Sequence, residues 1–147
     1  MNPIIKELLS HRSIRKFTPE PVSDNELDTI VKAAQSAPNW VNLQLVSIIA
    51  IENPEHKEKV ASLCGNQKSI IEAPLFLVFC ADYSRAAKAC ESRGQNLDEV
   101  LEDVDTVIVG AHEAGISLEA AVVAAESLGL GTVPIGGAYM PRNSLKI

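Results

Sequence analysis

Leu45-Val46-Ser47-Ile48-Ile49-Ala50-Ile51 is an apolar, β-branched run bounded by polar residues. A run of that length and composition reads as a buried strand. Asn53-Pro54 follows almost at once and can cap and open a helix, with Val60 and Leu63 inward and Gly65 at its end. Ala73-Pro74 then restarts the chain as extended structure. Leu75-Phe76-Leu77-Val78-Phe79-Cys80 has no polar alternation, as expected of a central strand covered on both faces. Strands and helices mix without the regular spacing of βαβ units, so α+β is favoured over a doubly wound sheet. No G-x-G-x-x-G follows a strand, and nothing supports a dinucleotide site of that kind.

Toward the N-terminus, Ser23-Asp24-Asn25-Glu26 has the pattern of a capping box, Ser at the cap and Glu three residues on. Leu27, Ile30, Val31 and Ala34 behind it form one apolar face, and Pro38 stops the pattern. Ile4, Ile5, Leu8 and Leu9 recur at helical spacing and predict a short first helix ending near His11. Toward the C-terminus, residues 83–94 read as an exposed helix. Residues 97–128 read as one long helix, with Val104, Val107, Ile108, Ala111, Leu118, Ala121 and Ala125 on or near one face. Glu113, Glu119 and Glu126 are placed on its polar side. Thr132-Val133-Pro134-Ile135 reads as a third strand running into Gly136-Gly137.

Composition narrows the function classes. A length of 147 residues favours one domain, and 46% hydrophobic with 22% charged residues is ordinary globular usage. Thirteen Lys and Arg against nineteen Asp and Glu give a net charge of -6, with no basic run, so nucleic-acid binding is not expected. The longest apolar runs, such as 75–81, fall far short of a membrane span, and the first ten residues carry no signal-peptide pattern, so no membrane role is expected. Cys64, Cys80 and Cys90 are an odd number without C-x-x-C spacing, which fits reduced thiols in a cytoplasmic protein. Cys80 reads as a packed small hydrophobe, and Cys64 and Cys90 as partly exposed. His56 and His112 lack partners at ligand spacing, so no metal is expected.

The densest chemical signal is His11-Arg12-Ser13-Ile14-Arg15-Lys16, a cationic segment in an acidic chain. Guanidinium groups suit phosphate or the carbonyl edge of a heterocycle, and an extended backbone would send Ser13 and Arg15 to one side. On the residues alone, a solvated basic loop pairing with surface carboxylates is the favoured reading. Gly65-Asn66-Gln67-Lys68, Val78-Phe79-Cys80-Ala81-Asp82 and Ala124-Ala125-Glu126-Ser127-Leu128-Gly129-Leu130-Gly131 follow in order. Together with His11-Arg12-Ser13-Ile14-Arg15, these segments resemble the flavin-dependent nitroreductase family, in its branch of NADPH-dependent oxygen-insensitive nitroreductases and flavin reductases. The resemblance spans about residues 3–137.

That resemblance implies an α+β domain with helices flanking a mainly antiparallel central sheet, in an intertwined homodimer. It implies FMN as cofactor and NAD(P)H as electron donor. Hydride would pass to nitroaromatics, quinones or free flavin, with the chemistry on the flavin and no catalytic side chain. His11 and Arg12 would take the phosphate end, and Ser13 and Arg15 the pyrimidine, where Arg15 would favour the anionic reduced ring. Gln67 would hydrogen-bond the pyrimidine edge. Ile135, Gly136 and Gly137 would bring backbone N–H groups beside the reactive edge, since a missing Cβ lets the chain approach a flat ring. Asn39 and Asn42 match a loop that approaches the flavin of the other subunit. Trp40, beside them, would line the substrate pocket or anchor the dimer interface. Without the family, Gln67 is a helix-terminal residue in water and Gly136-Gly137 an ordinary turn. Family members continue well beyond Ile147, so the expectation is a single nitroreductase-like domain over residues 1–147, truncated at its C-terminus. The truncation keeps open a catalytically weak flavin-binding or stress-related interaction protein, or a remnant.

Overall fold

A computed structural model describes residues 1–136. Gly137 and the residues after it lie outside the described part. The chain divides into two compact units, one of residues 1–27, 50–77 and 125–147, the other of residues 28–49 and 78–124.

Local signals set most of the helix starts. Helix α1, Pro3–Ser10, begins where the Asn2 side chain accepts the Ile4 N–H. Helix α2, Asp24–Gln35, begins on the expected capping box. The Ser23 N–H donates to Glu26 Oε2 at 2.8 Å, and the Glu26 N–H returns to Ser23 Oγ at 3.3 Å. The Ser23 hydroxyl and N–H bonds hold the Glu26 carboxyl below its ordinary pKa. Helix α3, Pro54–Leu63, is capped by Asn53, and Gly65 leaves it at φ +74°, a left-handed exit that favours glycine.

Strand β1, Val46–Ile51, pairs with strand β2, Phe76–Ala81, and among the described residues the sheet has these two strands alone. The pair is antiparallel, extended by the Asp82 N–H donating to Leu45 O. The expected full burial is corrected. Ile49 and Ala50 are exposed and β2 is half-buried from Phe76 to Cys80, because neither strand has a second neighbour here. The expected third strand is a single parallel bridge between Thr132 and Ser13.

In the first unit, Ala61, Cys64 and Ile70 form a buried cluster joined by Val60, Phe76 and Ile135. Helix α4, Lys68–Glu72, brings Ile70 to it. Cys64 is thus core, not partly exposed, and burial pushes its thiol pKa up. Buried Lys57 donates from Nζ to Ala73 O at 2.6 Å.

In the second unit, helix α5, Ser84–Glu91, follows a polar knot at the end of β2. Asp82 accepts from the Ser47 hydroxyl and from the Ser84 N–H, and Arg85 reaches the carbonyls of Gln44 and Val46. The expected long helix is broken into α6, Asp98–Leu101, and α7, Val104–Ser127. Asp103 Oδ1 accepts the Asp105 N–H and starts the second piece. The inward face of α7 differs from expectation in its N-terminal half, while Ala121 and Ala125 are buried as expected. Val104 and Val107 are each 65% exposed, while Gly110, Glu113, Ser117 and Ala121 are buried. By length and composition α7 is apolar enough to cross a membrane, contrary to the sequence expectation. Its polar contacts are those of a packing helix: Ser117 Oγ donates to Ala34 O at 3.0 Å, and Glu113 holds a loop described below.

Candidate functional site

The chemistry-bearing segments of the first unit meet along residues 131–136. The Ile14 N–H donates to Thr132 O at 2.8 Å, making 11–15 a neighbour of that stretch. Gly131 permits the approach, since a Cβ there would lie 3.0 Å from Ile14 Cβ, Cγ1 and Cγ2. With Ile14 turned onto Gly131, backbone alternation sends Ser13 and Arg15 to the opposite side, and both are exposed. Neither side chain has a hydrogen-bond or ion-pair partner among the described residues.

At the other end of the stretch, Ile135 packs against the Ala61, Cys64 and Ile70 cluster. Gln67 lies between Cys64 and Ile70 in sequence, at the N-terminal cap of α4. Its Nε2 donates to Cys64 O at 3.1 Å, so one amide proton is engaged and the other, with the carbonyl, is left for a ligand. Gly136 is exposed, with open space where a Cβ would stand.

Arg12 does not project as expected. Its guanidinium turns back to the carbonyls of His11 and Ser10, at 3.0 and 3.5 Å, over the end of α1. His11 Nδ1 lies 2.8 Å from Glu126 Oε1, which also accepts from Thr132 Oγ1 at 2.6 Å. Glu126 is therefore not a solvated residue of a polar helix face. Its side chain is only 12% exposed and ties three parts of the site together. Nothing in its spacing from His11 signals that partnership.

The expected residues 39–42 belong to the second unit. Trp40–Asn42 form a 3₁₀ turn, and Val41, Asn42 and Gln44 have φ of 42°, 59° and 52°. Such left-handed conformations are costly for residues with a Cβ, above all for β-branched Val41. The loop is held from outside. Glu113, 4% exposed, accepts the Trp40 N–H at 2.7 Å and the Leu45 N–H at 3.0 Å. Asn39 Oδ1 accepts the Gln44 N–H at 3.2 Å, and Asn42 Oδ1 lies 3.4 Å from Gln44 Nε2. Trp40 is 60% exposed and borders a cavity of about 630 Å³ whose wall includes Tyr83, Cys90, Arg93, Leu97 and Val109. Burial, then the Glu113 charge, push the Tyr83 hydroxyl above its ordinary pKa. Glu113 was legible in principle, because it shares helical spacing with the small residues Gly110, Ser117 and Ala121.

Among the described residues, no group of three or more His, Cys, Asp or Glu could hold a metal ion. The donors present, namely the Arg15 guanidinium, the Ser13 hydroxyl, the Gln67 amide and the open backbone at Gly136, suit a planar, acceptor-edged, anionic molecule. FMN fits that set.

Comparison with known proteins agrees. The model of the nitroreductase family matches residues 8–146. The chain is 50% identical over 136 residues to an FMN reductase [NAD(P)H] of Bacillus subtilis, covering 92% of this chain and 55% of the relative. It is 42% identical over 139 residues to an oxygen-insensitive NADPH nitroreductase of Salmonella typhimurium, covering 93% and 55%. Among solved structures, B. megaterium NfrA2 superposes with a TM-score of 0.90 at 55% identity, covering 93% of this chain and 55% of that one. The chain thus spans about half the length of the curated relatives it matches. The architecture is the α+β nitroreductase fold, and the chain belongs to the nitroreductase family.

Proposed function

We propose that the protein is an FMN-dependent oxidoreductase passing hydride from NAD(P)H to a small acceptor such as a nitroaromatic, a quinone or free flavin. The observation that carries this reading is the convergence of 11–15, Gln67 and 131–136 within one compact unit, with unpartnered donors on the exposed side. The names of the relatives, FMN reductase and NADPH nitroreductase, support the same chemistry. Bound FMN would supply the hydride-accepting and hydride-donating centre. Ser13 and Arg15 would hold the pyrimidine end, Arg15 adding positive charge there. Gln67 would pair with the same edge through its remaining N–H and its carbonyl. Ile135 and Gly136 would offer backbone at the ring, and His11 and Arg12 would serve the phosphate end. Gly137 belongs to the same proposal from sequence alone.

Homodimer formation is part of this reading. Val104, Val107, Ile108 and Ile116 on α7 are exposed, and so are Ile4, Leu8 and Leu9 on α1. Exposed apolar stripes of that kind call for cover. Asn39, Asn42 and Trp40 would then face the partner's flavin. A single nitroreductase-like domain over residues 1–147 and a cytoplasmic location, suited to free Cys64, Cys80 and Cys90, complete the proposal.

The test is direct. Purified protein should be yellow or take up added FMN, and should oxidise NADPH with a quinone at saturating FMN, scaled to the measured holo fraction. Failure to bind FMN, or no turnover by a fully loaded preparation, sinks the assignment for this chain.

A further inference from the structure

We propose that Glu126 is a positioning residue that locks the His11 imidazole with Nδ1 as donor, so that His11 engages a phosphate-ester oxygen through Nε2 only as an imidazolium balanced by the Glu126 carboxylate. The inference rests on the FMN reading above and concerns how its phosphate is recognised.

Glu126 Oε1 is 2.8 Å from His11 Nδ1. A carboxylate only accepts, so the shared proton is on Nδ1. The imidazole's other polar atom is Nε2, on the far edge of the ring. In the neutral ring that atom carries a lone pair, the wrong polarity for a phosphate oxygen. With a second proton it becomes a charge-assisted donor. Glu126 is suited to balance that charge. It is largely withdrawn from water and fixed by the Thr132 hydroxyl at 2.6 Å. Among the described residues, the charged groups bonded at His11 are Glu126 from α7 and Arg12 from its own segment. Arg12 contacts the His11 carbonyl rather than the ring. Thr132, from the bridging stretch, contributes only a neutral hydroxyl.

Riboflavin, lacking the phosphate, provides the internal reference.

The experiment combines flavin titration with ¹⁵N NMR of the His11 ring, using the whole chain. In the free wild-type protein the ring should carry its proton on Nδ1. Both nitrogens should be protonated when FMN or inorganic phosphate is bound. Glu126→Gln keeps an acceptor for Nδ1 but removes the charge, so FMN affinity should drop by about tenfold with riboflavin affinity unchanged. Thr132→Val removes the hydroxyl that fixes Glu126 but keeps the charge, so it should weaken FMN less than Glu126→Gln does.

A free ring protonated on Nε2 instead, equal weakening of both flavins by Glu126→Gln, or a larger loss of FMN in Thr132→Val than in Glu126→Gln would overturn the proposal. If wild type binds neither flavin, the FMN reading fails. The response of the His11 ring to inorganic phosphate then decides this inference separately, and absence of a second protonation overturns it.

Discussion

Removing the Glu113 carboxylate should unfasten the loop between α2 and β1, and the size of the effect follows from its two bonds. Oε2 accepts the Leu45 N–H at 3.0 Å, and Oε1 accepts the Trp40 N–H at 2.7 Å. Leu45 is fully buried, so its N–H has no water to turn to, whereas 60% exposed Trp40 can recruit one. A bond to a carboxylate contributes about 1.5–3 kcal/mol, and an orphaned buried N–H costs about 1–3 kcal/mol. Glu113→Ala should therefore lose roughly 3–4 kcal/mol, after allowing for solvent rescue at Trp40. Glu113→Gln keeps one acceptor, which the buried Leu45 N–H should claim, and should lose only about 1–2 kcal/mol. Urea unfolding with an unchanged m-value measures both variants. Hydrogen exchange at the Leu45 amide should accelerate in Glu113→Ala and change little in Glu113→Gln. Both variants should lower the Tyr83 pKa toward its ordinary value without reaching it, because burial, the larger cause, remains. A loss below about 0.5 kcal/mol in Glu113→Ala, with Leu45 exchange unchanged, would refute the reasoning.

Two glycines of α7 should respond oppositely to alanine. At Gly110 a Cβ would meet Ala81 Cβ at 2.9 Å, and Ala81 is anchored in β2, so Gly110→Ala should lose about 1 kcal/mol despite better helix propensity. At Gly115 nothing lies within 4 Å, so Gly115→Ala should gain about 0.5–1 kcal/mol in thermal unfolding of the monomeric chain. Gly131→Ala would press on Ile14 from 3.0 Å, and should cost about 1 kcal/mol and weaken flavin uptake, read by fluorescence titration. Hydroxyls of Ser47 and Ser84, with the Ser84 N–H and Arg85, hold the Asp82 carboxyl at about 2, below its ordinary value of 3.8. Because the folded value is depressed, its stabilisation is complete above the unfolded value and is lost as pH falls through about 2. Wild type should exceed Asp82→Asn by about 1 kcal/mol at pH 6 after allowance for solvent screening, with the gap closing between pH 4 and pH 2.

The starts of α2 and α3 were legible because each is written by neighbours three residues apart. Ser23 with Glu26 and Asn53 with His56 form their bonds whatever the rest of the chain does. The resemblance of 11–15, 65–68, 78–82 and 124–131 to one family was equally a property of local order along the chain, and the family model matches it. Periodicity placed Ala121 and Ala125 inward correctly but misplaced the N-terminal half of α7, because Val104, Val107 and Ile108 make the more apolar stripe yet face outward. Large side chains mark a face that wants cover; they do not say whether this chain or another copy covers it. There the buried face instead selects Gly110 and Ser117, whose small size permits close packing, and it carries Glu113 inward with them. Glu126 and His11 meet across 115 positions, and Ser13 meets Thr132 across a similar span. Caps and motifs are short-range and were set by the sequence itself. The partners of the buried carboxylates were decided only by tertiary structure, since a charge leaves water only where packing supplies donors to receive it.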